Sequence, residues 1–126
     1  MAQPTVLLCN FTQDRRTKLN MICMRHKIRI RHVQPEEYGQ TLAALCGLAP
    51  MQDGATSEAT FADEVLLMAN FTPALANSLL AAMRQARISV PLKAVLTPTN
   101  AAWTLPHLRD ELAEEAAGLA AHTDAE

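Results

Sequence analysis

The chain has 126 residues, of which 49% are hydrophobic and 19% charged, with a formal net charge of -2 at pH 7. Such a length and apolar content suit a single domain over residues 1–126, whose core needs no disulfide or metal staple. No stretch approaches the roughly 20 apolar residues of a membrane span, and Met1-Ala2-Gln3-Pro4 lacks a basic region ahead of an apolar run. These features argue against a spanning helix and a secretion signal, and a soluble cytoplasmic protein with no membrane partner is expected.

Thr5-Val6-Leu7-Leu8-Cys9 is a continuous apolar run too short for a helix, and reads as a strand covered on both faces. Thr12 is a candidate N-cap for a helix reaching about Met24, with Asp14 in its first turn and Leu19, Ile22, Cys23 and His26 along one face. Strict alternation over Ile28-Arg29-Ile30-Arg31-His32-Val33 predicts a half-exposed edge strand. A turn at Pro35-Glu36-Glu37-Tyr38-Gly39 leads to a helix of about two turns carrying Leu42, Leu45 and Cys46, which Gly47 can close in a left-handed cap. Residues 49–60 show no apolar period and are expected to form a mobile loop.

The second half echoes the first. Val65-Leu66-Leu67-Met68-Ala69-Asn70-Phe71-Thr72 repeats the pattern of Val6 to Thr12, and Met83 to Ile88 echoes Met24 to Ile28. Thr72 is the expected cap, with Pro73 at the first helical position and Leu75, Leu79, Leu80 and Met83 facing inward. After Pro91 a strand runs from Leu92 to Leu96, and a polar turn follows at Thr97-Pro98-Thr99-Asn100. A final helix from about Thr104 turns Leu105, Leu108, Leu112 and Leu119 inward, with residues 121–126 frayed.

Alternating strands and helices predict an α/β fold of three layers: a four-stranded, mostly parallel sheet of order 2-1-3-4, built from two β-α-β-like halves. The strands of Val6, Ile30, Leu66 and Val95 are all expected to be parallel. An antiparallel contact between those of Val6 and Leu66 would instead indicate the alternative, a ferredoxin-like α+β arrangement.

Seven of the 11 Lys and Arg residues (Arg15, Arg16, Lys18, Arg25, Lys27, Arg29 and Arg31) fall in one segment, while Asp110, Glu111, Glu114, Glu115, Asp124 and Glu126 crowd the end of the chain. The absence of any aromatic between Phe11 and Tyr38 argues against a nucleic-acid partner, because single-strand binders stack bases on aromatic rings. Opposite charges on separate segments suggest neutralisation between molecules, in a homodimer or with another protein partner. Cys9, Cys23 and Cys46 share no C-x-x-C spacing and sit in apolar patterns, so free, buried thiols are expected.

In a parallel sheet all carboxyl ends meet one edge, where open α/β sheets bind ligands. That edge would gather Asn10, Thr12, Glu36, Tyr38, Asn70, Thr72, Thr97, Thr99, Asn100 and Trp103 into a polar pocket for a small polar or anionic ligand. The same residues also suit caps and turns: Thr12, Thr72 and Asn100 at helix starts, Asn10 and Asn70 in turns, Trp103 at the rim of the core. No Gly-rich phosphate loop, Gly-x-Ser-x-Gly elbow or metal-spaced histidine pair occurs; His26, His32, His107 and His122 are scattered. No catalytic residue, metal or cofactor is assigned. A non-catalytic binding or regulatory module is expected, and the alternative is a small enzyme using the same edge, with Glu36 and Glu37 as an acid and base pair.

The block Lys93-Ala94-Val95-Leu96-Thr97-Pro98-Thr99-Asn100-Ala101-Ala102-Trp103, together with Gln34 to Gln40 and Val6 to Thr12, resembles a family of small bacterial domains of unknown function. The resemblance implies a stand-alone bacterial domain and brings no activity, cofactor or catalytic residue with it.

Overall fold

The computed structural model describes residues 3–55, 57 and 59–124, with side chains described as far as residue 116. The inward orientation expected of Leu119 lies outside the described side chains; of the tail expected to fray, residues 121–124 are helical and 125–126 lie outside the described residues. Four strands form, β1 (Thr5–Cys9), β2 (Arg29–His32), β3 (Val65–Ala69) and β4 (Leu92–Val95). The helices are α1 (Gln13–Arg25), α2 (Leu42–Leu45), α3 (Pro73–Gln85) and α4 (Leu105–Asp124), with a short 3-10 turn at Pro35–Glu37. None of them is long and apolar enough to cross a membrane.

The sheet has the expected order β2-β1-β3-β4. β1 pairs in parallel with β2, Val6 opposite Ile30, and β3 in parallel with β4, Leu67 opposite Ala94. The central pair departs from expectation: β1 and β3 are antiparallel, with Thr5 opposite Ala69 and Cys9 opposite Val65. The sheet is therefore mostly parallel, but its two β-α-β halves are joined head to tail. The ferredoxin-like alternative is not what replaces it, because there the strands of the two halves interleave, whereas here each outer strand stays beside the inner strand of its own half.

The reason lies in the connection between the halves. A continuous apolar run reports cover on both faces and carries no information about direction. The chain leaves β2 where the Val33 N–H donates to the Leu8 carbonyl (2.9 Å), and it re-enters where Val65 pairs with Cys9, at the same sheet edge. A parallel β3 would require a return along the sheet. Among the described residues between them the one α-helix, α2, has four residues and rises about 6 Å, against roughly 17 Å for a five-residue strand.

Alternation along the central strands divides the core into two layers. Val6, Leu8, Leu66 and Met68 meet Leu19, Ile22 and Cys23 of α1 and Leu79 and Met83 of α3 on one face. On the other, Leu7, Cys9, Val65 and Leu67 meet Tyr38, Leu42 and Leu45, and Leu105 and Leu108 of α4. β2 lies at an edge with its side chains exposed or half-buried, as the alternation predicted.

The helix ends of the two halves match closely. Lys27 and Arg87 follow α1 and α3 with φ of 58° and 60°. The Ile28 N–H donates to the Cys23 carbonyl and the Ile88 N–H to the Met83 carbonyl, each at 2.8 Å, so both helices end in the same left-handed cap with an apolar residue folded back onto the core. The starts differ. The Thr72 hydroxyl accepts from the Leu75 N–H at 3.1 Å, while Thr12 holds the cap position without a side-chain bond. The loop expected over 49–60 has no helix or strand among its described residues. It is tethered at Gln52, whose N–H donates to Gln40 Oε1 (2.9 Å) and whose carbonyl accepts from Gln40 Nε2 (2.7 Å).

Candidate functional site

Because β1 and β3 run oppositely, the carboxyl ends of β1 and β2 lie at one sheet edge and those of β3 and β4 at the other. The ten residues expected at a single edge do not share one. Asn10, Thr12, Glu36 and Tyr38 follow β1 and β2, whereas Asn70, Thr72, Thr97, Thr99, Asn100 and Trp103 follow β3 and β4. α2 touches the second group on the face of the sheet: the N–H groups of Leu42 and Ala43 donate to the carbonyls of Trp103 (2.8 Å) and Ala101 (3.0 Å).

Within each group the polar side chains are largely engaged. Asn10 adopts φ 65°, and its Nδ2 donates to the carbonyls of Phe61 and Asp63, both at 2.9 Å, while Oδ1 accepts a long 3.4 Å bond from the buried Tyr38 hydroxyl. Asn70 mirrors it at φ 63°, with Nδ2 3.4 Å from the Gln3 carbonyl. Glu37 pairs with Arg31 and accepts from the Gln34 N–H, closing the 3-10 turn. The buried Asn100 accepts from the Thr97 N–H (2.8 Å) and donates to the Val95 carbonyl (3.1 Å), and Thr97 Oγ1 accepts from the Asn100 N–H. Trp103 stacks on His107, with ring centroids 4.3 Å apart.

The lead-in to β3 is clamped from both layers. Arg15 of α1 makes a bidentate pair with Glu64 at 2.6 and 2.8 Å and reaches the Ser89 carbonyl at 2.7 Å, tying α1 to the starts of β3 and β4. On the opposite face Arg109 of α4 holds Asp63 at 2.9 Å. Arg15 and Arg31 of the basic segment therefore have partners inside the monomer.

The thiols are unsuited to nucleophilic work. Burial pushes Cys9 up to about 12 and Cys23 and Cys46 to about 11, and all three are unpaired and buried. We expect a thiol reagent at neutral pH to label the native protein only at the rate of unfolding, with full labelling in denaturant; rapid native-state labelling of Cys9 would contradict this placement. Burial, with the nearby Arg16 charge, lowers the pKa of the half-buried His32. Among the described residues no three His, Cys, Asp or Glu side chains gather where they could hold a metal ion.

A more open site lies where α3 ends and β4 begins. Leu80, Met83 and Ile88 form the apolar floor of a groove of about 380 Å³, and Arg84, Arg87, Ser89 and Lys93 form its rim. Lys93 Nζ is positioned by a 2.6 Å bond to the Val90 carbonyl. None of Arg84, Arg87 and Lys93 has a carboxylate partner among the described residues. Sequence reasoning missed this groove, because its cations are split between the last turn of α3, a left-handed linker residue and one face of β4. The local signal was the pair of cations Arg84 and Arg87 at a helix end.

No curated protein and no solved structure matches the chain. Residues 64–118, which contain β3, α3, the groove, β4 and the first part of α4, match the family model of a domain of unknown function, DUF3783.

Proposed function

We propose that the protein is a non-catalytic binding module of the bacterial cytoplasm, and that its ligand combines an apolar portion with an anionic group and occupies the groove between α3 and β4. The observation that carries this reading is the convergence, over an apolar floor, of three cations without carboxylate partners among the described residues. Elsewhere, among the sequence-predicted site residues, Asn10, Tyr38, Asn70, Thr72, Thr97 and Asn100 already bond their polar groups within the fold. The groove also limits its ligand. The carboxyl end of α3 contributes partial negative charge that opposes a bare anion, so contact with Leu80, Met83 and Ile88 must supply part of the affinity. Three unpaired thiols suit a reducing compartment, and the resemblance to small bacterial domains supplies the source.

Calorimetric titration with octyl phosphate and with inorganic phosphate tests the reading. Saturable binding of octyl phosphate, little response to inorganic phosphate, and about tenfold or greater weakening in Arg84→Gln/Arg87→Gln are expected, since tenfold corresponds to about 1.4 kcal/mol, near the low end for one charge-assisted hydrogen bond. Absence of octyl phosphate binding, or binding indifferent to that double substitution, would overturn it.

A further inference from the structure

From charge complementarity we infer that the groove's occupant is the acidic face of α4 from a second copy of this chain, which makes the protein a homodimer held by reciprocal exchange of these two surfaces; this rests on the groove being a binding site. The groove presents Arg84, Arg87 and Lys93 without carboxylate partners among the described residues. α4 presents Glu114 and Glu115, both exposed and likewise outside every ion pair among the described residues. Each surface has what the other lacks.

The dimensions agree. The lining side chains of α3 span Leu80 to Arg84, about 6 Å at helical rise, with Arg87 just beyond the helix end, and the acidic run Asp110 to Glu115 spans about 8 Å. Ala113 lines one surface with Asp110, which pairs with Arg109 there, and with Glu114. Its small side chain lets the helix backbone approach an apolar floor while the longer carboxylates reach the cations on the rim. Within one molecule the two surfaces are held apart, because α3 packs on one face of the sheet and α4 on the other.

Charge reversal provides the test. The wild-type chain is expected to sediment as a dimer at about 0.05 M salt and to dissociate at about 1 M, where the screening length falls to roughly 3 Å. Arg84→Glu/Arg87→Glu and Glu114→Lys/Glu115→Lys should each weaken self-association by more than about tenfold, since each places like charges face to face. Mixing the two variants should restore a dimer, because both exchanged contacts then join opposite charges. Circular dichroism establishes that each variant is folded, and Arg84→Gln/Arg87→Gln, which removes charge without adding repulsion, replaces the first variant if it is not. A wild-type monomer at low salt, a salt-resistant dimer, or variants that fail to complement each other would overturn the inference. Titrating octyl phosphate into Glu114→Lys/Glu115→Lys, whose groove is intact, tests the binding site alone; binding there without wild-type dimerisation would sink the dimer and leave the groove standing.

Discussion

Tyr38→Ala is expected to destabilise the protein by about 3–5 kcal/mol, the range for truncating a large aromatic in a packed interior. Tyr38 is 1% exposed and lies in the layer formed by Leu7, Cys9, Leu42, Leu67 and Leu105. Its ring stacks on Phe61 at 4.8 Å and an interplanar angle of 9°, so truncation opens a cavity and removes the surface against which the lead-in to β3 is packed. Tyr38→Phe separates ring from hydroxyl. The hydroxyl donates only a 3.4 Å bond to Asn10, and its loss should cost less than about 1 kcal/mol. Urea unfolding of both variants decides the matter; equal losses would mean that the polar contact, not the ring, holds this corner.

The different weights of ring and hydroxyl illustrate what was legible in the sequence. Tyr38 was chosen there as a pocket residue, on the assumption that every strand ends at one edge. The strands themselves were legible: the unbroken apolar runs Val6 to Cys9 and Val65 to Ala69 leave no polar face, so both had to be covered on two sides, and both are. The caps were legible at Thr72 and at the edge strand's alternation. Direction was not, because Leu7 buries itself equally well beside a parallel or an antiparallel Leu67, and it is the backbone ladder that distinguishes them. The left-handed residues also went unread at helix ends, since Lys27 and Arg87 occupy positions where glycine is the usual signal. The groove followed from both gaps: Arg87 takes its place on the rim through that conformation, beside Lys93 on the adjoining strand.

Substitutions at the two asparagines that end the central strands should separate backbone strain from side-chain tethering. Both hold φ near 65°, which costs an ordinary residue about 1–2 kcal/mol and glycine almost nothing. Their side chains differ. Asn10 fastens two carbonyls of the β3 lead-in at 2.9 Å, whereas Asn70 makes one 3.4 Å contact with Gln3. Asn10→Gly keeps the conformation and loses both of these bonds, each worth about 0.5–1.5 kcal/mol and at the low end here because the site is exposed, along with the long 3.4 Å bond from Tyr38, so a loss of about 1 kcal/mol is expected. Asn70→Gly should be close to neutral. Asn10→Ala adds the strain to the lost bonds and should cost about 2–3 kcal/mol, while Asn70→Ala pays for strain alone, about 1–2 kcal/mol. Four unfolding curves measured side by side test the scheme: if the glycine variants at the two positions are equally stable, Asn10 does not tether the entry to β3, and the antiparallel junction of the two halves depends on the strand ladder and the Glu64 and Asp63 ion pairs instead.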